Sequence, residues 1–197
     1  MIMKTKLFTL IFGMILLASC QQKEMKISRS DFSVVTEMTD FSPAYILKND
    51  DGKIEIQKNS LIGNTHWVLS VDRDLTMNEV APFLHELTEK KHKVGGMHED
   101  TKDIYFVYSD TVHKQNAYVK VPFKSFALGE QPVYELGEGV QSLLLKSVVD
   151  AKNPFDKTQT YLVRIDKNIS VETFVNILIE LEKQKISENV NSEVYVN

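Results

Sequence analysis

The side chains of this sequence best able to do chemistry are five histidines and two aspartates. The histidines are His66, His85, His92, His98 and His113, and the aspartates, Asp72 and Asp166, close similar segments. Histidine binds metals and moves protons near neutral pH. No two histidines have His-x-x-x-His spacing, and the Cys/His spacing of a zinc site is missing. His85 and His92 stand two helical turns apart, a poor site with two ligands alone, and exposed helix histidines are the plainer reading. Asp72 and Asp166 would suit acid–base work as paired carboxylates. Aspartate at a strand-to-helix turn is also ordinary turn chemistry, and that reading is favoured. Asp72-Arg73-Asp74 lacks the spaced acidic ligands and the glycine of a calcium loop. There is no Gly-x-Ser-x-Gly nucleophile elbow. Gly137-Glu138-Gly139 lacks the third glycine of a dinucleotide loop, and Gly95-Gly96 lacks the Lys-Ser/Thr of a phosphate loop. Tyr105, Phe106 and Tyr108 could line a carbohydrate site. In a strand, however, alternation sends Phe106 and Tyr108 to one face, Tyr105 and Val107 to the other, and one of those faces belongs to the core. No catalytic, cofactor-binding or metal-ligating residue is assigned.

These residues sit on a readable series of elements. Phe32 to Val35 reads as a first strand. Ala44–Lys48 and Lys53–Gln57 flank Asp51-Gly52, a hairpin signal because glycine tolerates the positive φ such turns need. Trp67–Val71 is apolar enough to be a central strand. Thr76 and Glu79 have capping-box spacing. Val80, Phe83, Leu84 and Leu87 then follow at helical spacing. Pro82 costs a backbone bond there unless it lies in the first turn. Ile104–Tyr108 and Ala117–Val121 read as strands, and residues 126–138 as irregular. Val140 to Ala151 reads as a helix, with its β-branched residues leaving a strand open. Tyr161–Ile165 is a strand, and Ser170 caps a helix whose face is Phe174, Ile177, Leu178 and Leu181. Glu193–Val196 is a terminal strand.

Residues 67–92 align without gaps on 161–186. Asp72 falls on Asp166, Thr76 on Ser170, and the four apolar face positions match one for one. Two strand–cap–helix–strand units follow, each with one helix face that needs a sheet to cover it. The expected fold is α+β, with helices 77–91 and 171–185 on mixed or antiparallel sheets. The units would span 32–109 and 110–197, or merge into one continuous domain. The features Asp51-Gly52, Val68 to Asp72, Met77 to Lys90 and Ile104 to Tyr108 are similar to the periplasmic domain of the ExbD/TolR family, accessory proteins of proton-driven envelope motors. The resemblance covers about half of the chain beyond residue 20 and implies the fold. That family has a membrane-spanning helix with an acidic residue for proton coupling. The apolar segment here, Leu7 to Leu17, has no Asp or Glu, so the motor function does not carry over.

Residues 1–20 have the parts of a secretory signal: Lys4 and Lys6, the apolar Leu7–Leu17, then Ala18 and Ser19 before Cys20, the single cysteine. The apolar run is shorter than the roughly 20 residues that span a bilayer. Leu17-Ala18-Ser19-Cys20 resembles the lipobox read by signal peptidase II. The resemblance implies cleavage of residues 1–19 and acyl chains on Cys20. Each buried CH₂ then adds about 0.8 kcal/mol of membrane affinity, and two or more chains anchor stably. With Cys20 acylated, no disulfide forms, and stability rests on an apolar core. Residues 20–31 read as a tether. Gln21-Gln22-Lys23-Glu24 partly resembles a surface-export signal, but a single acidic residue follows the lysine. The expected address is the outer membrane, its periplasmic face favoured over the cell surface.

The full sequence has 23 Lys and Arg against 27 Asp and Glu. Without Lys4 and Lys6 the balance is 21 against 27, or −6. That mild acidity argues against nucleic acid and against a polybasic membrane patch. Two functions compete. One is a non-catalytic, membrane-anchored module that binds an envelope protein or a surface polymer. The other is a hydrolase or metal-dependent enzyme using Asp72, Asp166 and a histidine.

Overall fold

Strand β2 (Phe41–Lys48) and strand β3 (Ile54–Gln57) form the expected antiparallel hairpin, with Ile46 opposite Ile56. Gly52 turns the chain at φ 78°, a conformation in which a Cβ would be strained. The computed structural model describes residues 25–92, 102–129 and 138–197. Within them lie ten strands in two sheets and three helices.

The first sheet contains β1 (Ser28–Ser30), β2, β3, β4 (His66–Val71), β5 (Ile104–Asp110) and β6 (Gln115–Lys120). It is mixed: β4 runs parallel to β2 and β5, and β6 runs antiparallel to β5. β6 fills one edge of β5, so β1, pairing residues 108–110 in parallel, must take the other edge where β4 ends. The second sheet, in the order β7 (Ser125–Leu128), β10 (Glu193–Val196), β9 (Thr160–Ile165), β8 (Val140–Leu145), is parallel throughout. The helices are α1 (Met77–His92), α2 (Val148–Lys152) and α3 (Val171–Lys183).

The capping box forms as its spacing requires. Glu79 accepts the Thr76 N–H at 2.9 Å, and the Thr76 hydroxyl accepts the Glu79 N–H at 3.3 Å. Ser170 accepts the Thr173 N–H at 3.1 Å. Each such cap contributes about 1 kcal/mol. Val80, Leu84 and Leu87 are buried, as are Phe174, Ile177, Leu178 and Leu181. Phe83 is only partly buried and packs at the core's margin. Pro82 lies past the first turn without ending α1. The N–H that it lacks would have bonded the Asn78 carbonyl.

The two units meet through their caps. Thr76 and Ser170 form an antiparallel bridge. Met77 N–H donates to Ile169 O at 2.9 Å and Val171 N–H to Leu75 O at 2.7 Å. Asn78 N–H donates to Lys167 O at 2.8 Å and Glu172 N–H to Arg73 O at 3.3 Å. In the 67–92 on 161–186 alignment, each bond is the image of its mate, so the units are related by an approximate twofold exchange. The correspondence reaches beyond that alignment. Phe41 stands beside His66 as Val140 stands beside Thr160. Asp72 N–H donates to Ile46 O and Asp166 N–H to Leu145 O. Asp40 and Gly139, both at positive φ, offer their carbonyls to His66 and Thr160.

This matching explains a correction. Residues 140–145 form a strand, not the start of a helix, because they are the counterpart of β2 and pair along all of β9. The helix is confined to Val148–Lys152, where Asp150 accepts the Lys146 and Ser147 N–H groups at 2.9 Å each. Further expectations change. Ser28–Ser30, placed in the tether, is strand β1, with Ser28 and Ser30 buried. Its Ser-Arg-Ser sequence carries no apolar period to announce it. Phe32–Val35 makes only an isolated bridge, Val35 with Tyr118. Ser125–Leu128, read as mostly irregular, is β7. The expected boundary at 109/110 falls inside the β5–β6 hairpin, and the sheets divide at residues 121–124. A single apolar cluster joins both sheets and helices. α1 packs on β7 and β10 of the second sheet, α3 on β1 and β6 of the first. Phe106, Phe174, Phe126 and Phe123 link them edge to face, with centroids 5.8–6.2 Å apart.

Candidate functional site

Asp72 and Asp166 both serve turns. Asp72 Oδ1 accepts the Asp74 N–H at 3.2 Å. Asp166 Oδ1 accepts the Asn168 N–H at 2.9 Å and its side-chain amide at 3.0 Å. Of the four described histidines, His66, His85 and His113 take other partners. His66 Nδ1 accepts the Asp103 N–H at 3.2 Å. His85 Nδ1 lies 2.7 Å from Phe126 O, so it carries the proton there and ties α1 to β7. Burial, then Lys124, pushes His92 below its ordinary pKa. His113 bonds Asp110. Among the described residues, no three of His, Cys, Asp and Glu gather as a metal site. Cys20, His98, Gly95-Gly96 and Gly137 lie outside the described residues.

The most perturbed carboxylate is one that sequence reasoning passed over. Asp110, fully buried, accepts the Ser33 hydroxyl, the Val112 N–H at 2.8 Å, the His113 N–H at 3.0 Å and His113 Nδ1 at 2.7 Å. The Ser33 hydroxyl first, then the His113 backbone and ring, hold its carboxyl well below the usual range. Ser, Asp and His stand together here without forming a nucleophile array. The hydroxyl and the ring both bond the same carboxylate oxygen, so no base faces Ser33. The group acts as a latch between residues 32–35 and the β5–β6 turn. Tyr108 reinforces it, donating to Phe32 O at 3.0 Å and accepting the Val34 N–H at 2.9 Å. Burial pushes the Tyr108 phenol up to about 12. The available signal was an aspartate just before a hairpin turn.

Lys91 is a buried cation that forms no ion pair with a carboxylate among the described residues. Its Nζ donates to Gly63 O at 2.9 Å and Thr65 O at 2.6 Å, and sits 4.6 Å from the Trp67 ring centroid. Burial pushes its pKa down. Trp67 Nε1 donates to Ile62 O at 2.8 Å, and the Ser42 and Thr65 hydroxyls bond at 2.7 Å. Every partner belongs to the turn before β4 or to its flanking strands, so this network closes a loop.

Two surface features remain. An open cleft of about 310 Å³ lies where α1, β7 and β10 meet, lined by Asn78, Pro82, Leu128, Lys167 and Asn197 among others. The outer face of the first sheet exposes Phe41 (43%) and Tyr45 (37%) on β2, beside β3, the last strand of the sheet among the described residues. A two-sheet α+β protein with an internal twofold is the class that this geometry defines. No family model, no curated protein and no solved structure matches the chain.

Proposed function

We propose that this protein is a lipid-anchored module of the cell envelope that works by binding rather than by catalysis. The observation that carries the reading is the role of its acidic strand ends. Asp72 and Asp166 are matched turn residues of a repeated unit, and among the described residues neither takes a histidine as a partner. The exposed rings on β2 and the edge at β3 supply contact surface instead. The anchor is acylated Cys20, the expected site the outer membrane, and the partner an envelope protein or a surface polymer. Among the described residues no helix is long and apolar enough to cross a membrane, so attachment through Cys20 would carry the anchoring. The sequence resemblance to ExbD/TolR-type domains is compatible with an accessory role without proton coupling.

Cross-linking in intact cells, followed by identification of the captured material, tests the reading. A reproducible envelope partner is the expected result. A hydrolase or metal-dependent enzyme using Asp72, Asp166 and a histidine would instead show stoichiometric metal and turnover lost in Asp72→Asn. That outcome, without any partner, would overturn the proposal.

A further inference from the structure

Four adjacent strands place a row of unlike side chains across the outer face of the first sheet. Phe41 on β2 is the register partner of His66 on β4. The His66 ring meets Tyr105 of β5 edge to face, 5.3 Å between centroids. Tyr105 is in turn the register partner of Lys120 on β6. A backbone N–H can only donate, so the bond from Asp103 N–H makes His66 Nδ1 an acceptor and leaves the proton on Nε2. The row is flanked by two ion pairs, Lys120 with Asp103 at 2.9 Å and Lys102 with Asp40. Among the described residues, the charges of these two pairs balance. Three strand spacings make it about 14 Å long. Val68 and Val107 face the same way but are themselves buried, so the strip stays narrow there. A stable protein interface buries about 800 Å² on each partner, far more than such a strip offers.

The internal twofold supplies the second argument. The equivalent positions of Phe41 and His66 in the second sheet are Val140 and Thr160. The same pair of strands is thus completed without a ring at either position. Folding does not demand Phe41 and His66 there, and a surface role accounts for them.

We propose that this strip binds a neutral polysaccharide. The proposal deepens the binding-module reading and rests on it. Sugar rings present apolar C–H faces that lie on aromatic faces, and hydroxyls that bond carboxylates, an imidazole N–H and ammonium groups. The balanced ion pairs disfavour a strongly anionic polymer, because Asp40 and Asp103 would face it alongside the lysines.

The test is native affinity electrophoresis of the full-length chain, purified in detergent, through gels containing laminarin, dextran, galactomannan or, as the charged comparison, alginate. Phe41→Val and His66→Thr install the second unit's own residues and should leave the melting temperature unchanged. Val149→Ser, on α2, is the surface control. Retardation by a neutral polymer, weakened tenfold or more in both variants and unchanged in the control, is the expected result. Retardation by alginate alone, retardation equal in all variants, or none at all overturns the polysaccharide. In those cases in-cell cross-linking separates the two levels. A protein partner lost in Phe41→Val leaves the binding module standing with a different ligand, whereas no partner of any kind removes that reading too.

Discussion

Asp110 receives four hydrogen bonds on one buried carboxylate, and each favours the charged form. Unfolded, the same group would titrate near the ordinary value of about 4. Its contribution to stability is therefore complete above that value and is lost as pH falls toward the lowered folded one. Glu79, held low first by the Thr76 N–H, and Asp150, held low first by the Lys146 N–H, act in the same direction. Asp110→Asn keeps the shape but sets an amide N–H₂ against donors. It should lower the melting temperature at pH 7. The gap between parent and variant should narrow as pH falls from about 4 to about 2. Thermal melts across that range check this, and a constant gap would count against the latch.

At the scale of elements, the stability of each unit rests on a capped helix with one apolar face. Leu84 and Leu178 occupy equivalent positions on α1 and α3, and each is 1% exposed. An aspartate at either position forces an unpaired charge among apolar neighbours and loses the packing of a leucine. Leu84→Asp and Leu178→Asp should each cost about 4 kcal/mol or more. Denaturant unfolding measures it. Because α1 packs on the second sheet and α3 on the first, each substitution should weaken the whole cooperative transition rather than half of it. Two parent-like transitions in either variant would contradict that coupling.

The described part of the molecule is two copies of one plan closed on each other, and the proposed address would depend on Cys20. The mature chain should begin at Cys20, carry acyl chains and sediment with membranes. Mass spectrometry of the N-terminus and fractionation of cells decide it. An unmodified N-terminus beyond Cys20, or a fully soluble native protein, would refute the anchor, whereas Cys20→Ala should release the protein or stall processing. Since β1 begins at Ser28, the stretch ahead of it would hold the body within about 25 Å of the bilayer surface.

Local chemistry was enough to place much of this fold. The Asp51-Gly52 turn, the Thr76–Glu79 box, the Ser170 cap and the periodic faces of α1 and α3 all depend on residues within a turn or two of each other. The match of 67–92 on 161–186 announced the two units and the turn roles of Asp72 and Asp166. Other features depend on partners distant along the chain. β8 is a strand because β9 lies beside it, β7 because β10 does, and β1 because the end of β4 leaves an edge of β5 open. The charge of Asp110 depends on Ser33, which arrives from the far side of the first sheet's sequence. Which helix covers which sheet, and which rings share the outer face, follow from the twofold closure. No window of sequence contains that closure, because its hydrogen bonds join residues 73–78 to residues 167–172.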